Sequence, residues 1–176
     1  KIETIFYDLF HTQKFLKVYQ NFIKKTITPL FAKSFEFQRI PSIRISFPGQ
    51  KSVNFHNDCW YGHDKNIKNI WIPLTNVKKT QSLLFLSSSD NDKALKYFYK
   101  KQPNLNFINK YCYKKSNFAE LNYGQFLIFP TKSLHGTVKN LSSKIRISFD
   151  FRICFDRKYG LKNKNFFTDF SKTSKK

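Results

Sequence analysis

The run Lys144-Ile145-Arg146-Ile147-Ser148-Phe149-Asp150-Phe151-Arg152 alternates polar with apolar side chains along its whole length. A period of two belongs to an extended strand with one face toward a core. The isoleucines and phenylalanines therefore line one sheet surface, and Arg146 and Ser148 lie side by side on the other. The strand is read from Lys144 to Phe155; Asp150 and Arg152 are open to reading as a surface ladder rather than part of a site.

Working outward, shorter runs of strand character fall at Ile40 to Phe47, Val53 to Trp60, Asn69 to Leu74, Ser82 to Leu86 and Gln125 to Phe129. Pro48-Gly49 breaks the first of them. Two segments follow the helical period instead. Residues 11 to about 33 place Phe15, Leu16, Val18, Tyr19, Phe22, Ile23, Ile27, Leu30 and Phe31 at three- and four-residue intervals, as one buried helix face requires, with Pro29 ending or bending it. Asp90 to Lys101 reads as a second helix with Asp90 as N-cap.

A leading helix followed by irregularly spaced short strands predicts a mainly β (α+β) chain. Its form would be a double-sheet antiparallel barrel of the jelly-roll or cupin-like kind with helices outside. At 176 residues this is one domain: a helical part at about 1–38, a barrel at about 40–156, and a basic tail at about 159–176, lying on the surface or disordered. The absence of Met at position 1 points to a processed, trimmed or excised N-terminus.

Aromatic residues make up 18% of the chain and hydrophobic residues 40%, which excludes an intrinsically disordered protein. No apolar run approaches a membrane span and no signal-peptide pattern opens the sequence, so a cytoplasmic protein is expected. Cys59, Cys112 and Cys154 are odd in number and contain no CxxC pair, as free thiols in a reducing compartment would be. The net charge of +21 invites a nucleic-acid partner. However, the lysines are dispersed and rise together with Asn, Phe, Ile and Tyr, a pattern that AT-rich codons produce without selection for binding.

His56-Asn57-Asp58 carries the chemistry. In a strand, the spacing of two sends the imidazole and the carboxylate to one face. Two imidazoles and one carboxylate on one face of Fe(II) leave coordination positions open. The second imidazole is expected from His135, because His11 lies in the outer helix and His63 lies in a loop too close to Asp58. Arg146, eleven residues after His135, presents a guanidinium fork next to the Ser148 hydroxyl, a pair suited to the distal end of a dicarboxylate.

This order of HxD, distant His and following Arg resembles the signature of the Fe(II)/2-oxoglutarate-dependent dioxygenase superfamily. The wider wording is Phe55-His56-Asn57-Asp58-Cys59-Trp60-Tyr61-Gly62-His63 followed by Asn69-Ile70-Trp71-Ile72-Pro73-Leu74-Thr75. It looks like the branch found in bacterial surface-carbohydrate gene clusters and related to streptomycin-type oxygenases.

The resemblance covers about residues 40 to 155 and implies a double-stranded β-helix. It implies Fe(II) on His56, Asp58 and His135, and 2-oxoglutarate on Arg146 with Ser148. Asn69 or Trp71 would also touch the cosubstrate, and Arg44 on the preceding strand is a further inward candidate. Dioxygen would be the second cosubstrate and a sugar-containing small molecule the substrate. Two other readings stay open: a nucleic-acid-acting dioxygenase, and a cupin-like isomerase or binding module holding another divalent ion.

Overall fold

A computed structural model describes residues 2–50, 53–102, 104–156 and 166–170. The chain opens with two helices, α1 (Ile2–Phe10) and α2 (Gln13–Phe22), separated by Thr12, whose hydroxyl accepts from the Phe15 amide and caps α2. The helix expected over 11 to 33 is therefore shorter as an α-helix. It continues as a π turn (Ile23–Ile27) and a 3₁₀ turn (Thr28–Leu30). Pro29 has no amide hydrogen with which to extend the α ladder.

The main sheet is antiparallel and six-stranded. Its strands are β1 (Glu36–Gln38), β2 (Ser42–Ser46), β3 (Lys68–Pro73), β6 (Leu127–Pro130), β8 (Arg146–Cys154) and β9 (Phe167–Thr168). The alternating run of β8 is long enough to pair with β3 along one edge and with both β2 and β1 along the other. Register places Arg44 opposite Ser148, and Asn69 opposite Arg152.

The apolar side of β8 behaves as its period requires. Phe151 and Ile153 pack with Phe37, Ile70 and Ile72 under Tyr19, Ile23 and Ile27 of the leading helices. The other side of the sheet faces a cavity.

A smaller sheet of β4 (Leu84–Phe85), β5 (Asn117–Phe118) and β7 (His135–Gly136) closes the opposite wall. Helices α3 (Ser88–Lys101) and α4 (Leu105–Lys115) contribute Ala94, Ile108 and Cys112 to a second core that holds Phe55, Leu84 and Leu134. The chain is thus a mixed α/β fold with two antiparallel sheets, as expected in its sheets but richer in helix than the mainly β reading.

Several boundaries differ from expectation for identifiable reasons. Ser87, not Asp90, caps α3, because its hydroxyl accepts from the Asp90 amide. Helix α4 is additional to the expected elements, although Asn104, which caps it through two amides, precedes Ile108 and Cys112 at helical spacing. The expected strand at 53 to 60 reduces to a single bridge at His56 followed by a 3₁₀ turn, Asp58–Tyr61. Strands at 82 to 86 and 125 to 129 become Leu84–Phe85 and Leu127–Pro130.

Much of the expected basic tail lies outside the described residues. The part that is described does not lie loose on the surface: Phe167 and Thr168 are buried and pair with β1. All three cysteines are free. No helix among the described residues is long and apolar enough to cross a membrane.

Candidate metal and cosubstrate site

His56 and His135 face each other across a two-stranded bridge, their backbones exchanging hydrogen bonds of 3.0 and 2.9 Å. The ring centroids lie 4.4 Å apart. Each Nδ1 sits 2.9 Å from the carbonyl two residues earlier, Asn54 for His56 and Ser133 for His135. A carbonyl only accepts, so Nδ1 carries the proton and Nε2 presents a lone pair. This is how an imidazole is held when its other nitrogen binds a metal.

Asp58 arrives by a different route from the one expected. Asn57 caps the 3₁₀ turn through the Trp60 amide, and the Asp58 amide donates to the Thr131 carbonyl at 2.9 Å. A turn, not strand alternation, aims the carboxylate. One ligand atom from each of His56, Asp58 and His135 then lies within 4.8 Å of the others.

Electrostatics prepare this trio for a cation. Burial pushes the Asp58 carboxyl up, but Arg152, His135 and the hydrogen bond from Asn69 outweigh it and hold the group below its ordinary range. Burial, with help from His56, lowers His135 to about 4, so its imidazole is neutral at physiological pH.

The trio opens into a cavity of about 400 Å³ whose walls include Arg44, Asn69, Trp71, Phe129, Arg146 and Arg152. Arg146 is 7% exposed, its Nε has no hydrogen-bond partner, and no ion pair among the described residues reaches it. Burial and the neighbouring Arg44 depress it to about 10, which still leaves it a cation. A buried guanidinium with no carboxylate beside it is costly unless a ligand supplies one. Ser148 is fully buried one pleat along with its hydroxyl unpartnered, and it does not itself line the cavity.

The remaining expected residues separate by contact. Asn69 lines the cavity but commits its amide to Asp58 Oδ2 at 2.7 Å. Trp71 is a buried wall residue. Arg44 reaches the cavity while pairing through Nε with Asp150 at 3.2 Å. His63 is not in the trio; its ring lies beside Phe166, and burial lowers it to about 4.

The surface-ladder reading of Asp150 and Arg152 is overturned, because both line the cavity. Arg152 binds Asp58 Oδ2 at 3.1 Å and Gln38 Oε1 at 3.2 Å. The period that turned Arg146 and Ser148 inward continues through positions 150 and 152, and that was the available signal.

Gly136, next to His135, explains the close approach of the two bridge strands. A Cβ there would meet the Val53 carbonyl oxygen at 3.0 Å and the Phe55 amide nitrogen at 3.2 Å, both backbone atoms. Gly136→Ala should therefore destabilise the fold by about 1–3 kcal/mol through overpacking. The shift of the urea midpoint at constant slope is the measurement.

A second, more open cleft of about 580 Å³ lies near Phe31, Lys65, Lys68 and Lys132. It contains none of the His56, Asp58 and His135 trio.

No family model matches the chain. Solved structures sharing its fold include non-haem α-ketoglutarate-dependent enzymes and a non-haem monooxygenase. One is the carbocyclase SnoK from nogalamycin biosynthesis, at 14% identity and TM-score 0.53, covering 69% of this chain and 50% of SnoK. Another is EvdO2 from Micromonospora carbonacea var. aurantiaca, solved with 2-oxoglutarate, at 13% identity and TM-score 0.52, covering 88% of this chain and 64% of EvdO2.

In sequence, the streptomycin biosynthesis protein StrG of Streptomyces griseus is 26% identical over 117 residues, 65% of this chain and 44% of StrG. The chain thus spans about half the length of such proteins, and at these identities the solved structures establish a common fold.

Proposed function

We propose that this chain is a non-haem Fe(II)- and 2-oxoglutarate-dependent oxygenase that hydroxylates a small sugar-containing molecule. The observation that carries this reading is one cavity holding both a His-Asp-His trio within 4.8 Å and a buried, unpaired Arg146. The fold shared with EvdO2 and SnoK supports it.

The donor set fits the metal: two imidazole nitrogens and one carboxylate suit Fe(II) and leave sites for cosubstrate and dioxygen. When bound, iron together with dioxygen and 2-oxoglutarate supplies an oxidant able to cleave a C–H bond, with succinate and carbon dioxide as co-products.

The chain's own groups position and protect. The carbonyls of Asn54 and Ser133 lock both ring orientations, so no rotation is needed to present Nε2. Arg152 and Asn69 keep Asp58 ionised and stationary. Arg146, desolvated in advance, would grip the distal carboxylate of 2-oxoglutarate by a charge-assisted fork, while Ser148, which does not line the cavity, stays behind it in the sheet. Trp71 and Phe129 form an apolar wall that restricts water.

Purified protein supplied with Fe(II) is expected to convert 2-oxoglutarate to succinate under air. Arg146→Gln should raise the KM for 2-oxoglutarate by about 10- to 100-fold, as loss of a charged hydrogen bond implies, while Fe(II) affinity stays within about twofold. Cosubstrate binding that ignores Arg146→Gln would sink the assignment. Fe(II) binding with no consumption of 2-oxoglutarate would return the chain to a cupin-like isomerase or binding module. Salt-sensitive retention on DNA or RNA at physiological ionic strength would favour a nucleic-acid substrate.

A further inference from the structure

Charge around the cavity does not balance once the proposed ligands are in place. The lining holds three guanidiniums, of Arg44, Arg146 and Arg152, against two carboxylates, of Asp58 and Asp150. Asp58 and the chelating carboxylate of 2-oxoglutarate together neutralise a divalent metal. The distal carboxylate neutralises Arg146. Asp150 is then left alone between Arg44 at 3.2 Å and Arg152 at 3.8 Å, one negative charge against two positive ones.

Of these two cations, Arg152 is the enclosed one: its side chain is 11% exposed, and its terminal nitrogens are used by Asp58 and Gln38. The side chain of Arg44 is 56% exposed, and its only hydrogen bond among the described residues leaves from Nε. Arg44 lines the cavity, and no hydrogen bond among the described residues occupies its two terminal nitrogens. They form the planar edge that binds an oxyanion bidentately. Arg44 also lies diagonally across the β2–β8 ladder from Arg146, close enough to lower its pKa, so two anion-seeking forks share one face. One dicarboxylate engaged on metal and Arg146 does not satisfy both.

We infer that Arg44 anchors the primary substrate and that this substrate carries an oxyanion, such as the phosphate of a phosphorylated sugar or the carboxylate of an acidic sugar. The inference rests on the Fe(II) and 2-oxoglutarate reading of the site and adds the substrate's charge to it. The tyrosine ring of Tyr61, 69% exposed on the same cavity wall and edge-on to His56 at 5.6 Å, gives the uncharged body of such a molecule a surface to lie on.

The test uses the full chain loaded with Ni(II), which fills the site without turnover, and titrates it calorimetrically first with 2-oxoglutarate and then with glucose 1-phosphate, glucuronate or glucose. At least one anionic probe should bind about tenfold or more tightly than glucose, and whichever anion wins identifies the oxyanion. Arg44→Gln should bring that ratio close to one, and Arg44→Lys should retain part of it. The exposed position of Arg44, and the second partner Asp150 has in Arg152, keep both variants foldable.

If 2-oxoglutarate itself fails to bind, the reading of the site falls and the anchor falls with it. If 2-oxoglutarate binds but glucose matches both anions, the anchor alone is overturned. It is likewise overturned if Arg44→Gln leaves the ratio unchanged, or if neither anion saturates the protein by about 10 mM.

Discussion

His135→Ala is expected to abolish Fe(II) binding and succinate formation together while leaving most of the fold in place. On the proposed reading His135 offers one of the three ligand atoms, and its backbone is the other half of the bridge that positions His56. The backbone exchange survives the substitution, so the second imidazole stays where it is. The ring leaves behind a small void beside Phe85 and Phe129, whose centroids lie 5.7 and 5.0 Å from it.

Losing a ligand outright should weaken Fe(II) by more than the 10- to 100-fold typical of a supporting residue, so at least about 100-fold. Anaerobic titration with Fe(II) reads the affinity, and far-ultraviolet circular dichroism reads the fold. Once either imidazole is lost, succinate formation has nothing further to lose, so His56→Ala combined with His135→Ala should be no worse in turnover than either alone. A His135→Ala protein that binds Fe(II) as tightly as the parent would remove the metal from the proposal.

How much of this was legible in the sequence depends on which physical rule was local. The face of β8 was legible because its alternation is uninterrupted, which sends the apolar side chains to one face and Arg146 and Ser148 to the other, although both faces are largely buried. The same rule turns Asp150 and Arg152 inward. A surface ladder gives weight to their charge where the period decides.

The side chains of the HxD triplet do converge on one point, but not through the strand geometry that their spacing suggests. Asn57 caps a turn that no hydrophobic period announces, and the anchor of that turn, the Thr131 carbonyl, is far away in sequence. Likewise, nothing local reveals that β8 pairs with β1, β2 and β3. Those contacts cost loop-closure entropy and are decided by burial across the whole domain. Helix α4 is a plainer omission: Asn104 followed by Leu105, Ile108 and Cys112 is a cap with a helical stripe, obscured by flanking lysines.

Arg152→Met separates folding from metal binding in the opposite sense to His135→Ala. Arg152 is 9% exposed and sits on the buried Asp58, on Gln38 and, more loosely, on Asp150. Removing one member of a buried pair strands the other, so the metal-free protein should lose about 3–5 kcal/mol.

The pH dependence follows from Asp58. Its folded pKa lies below the ordinary value, so in the parent it contributes stability above the unfolded pKa and loses it as pH falls through the folded one. Removing Arg152 takes away the strongest influence that lowers this pKa, so the folded pKa rises from the parent's and the contribution at neutral pH shrinks. The gap between parent and variant should therefore narrow on going from about pH 7 to pH 4, as urea unfolding at the two values would show.

A divalent cation on Asp58 supplies the missing positive charge, so saturating metal should also close part of the gap. By linkage, the folded variant then holds metal at least as tightly as the parent. A constant gap at both pH values and with or without metal would mean that Arg152 acts through packing alone.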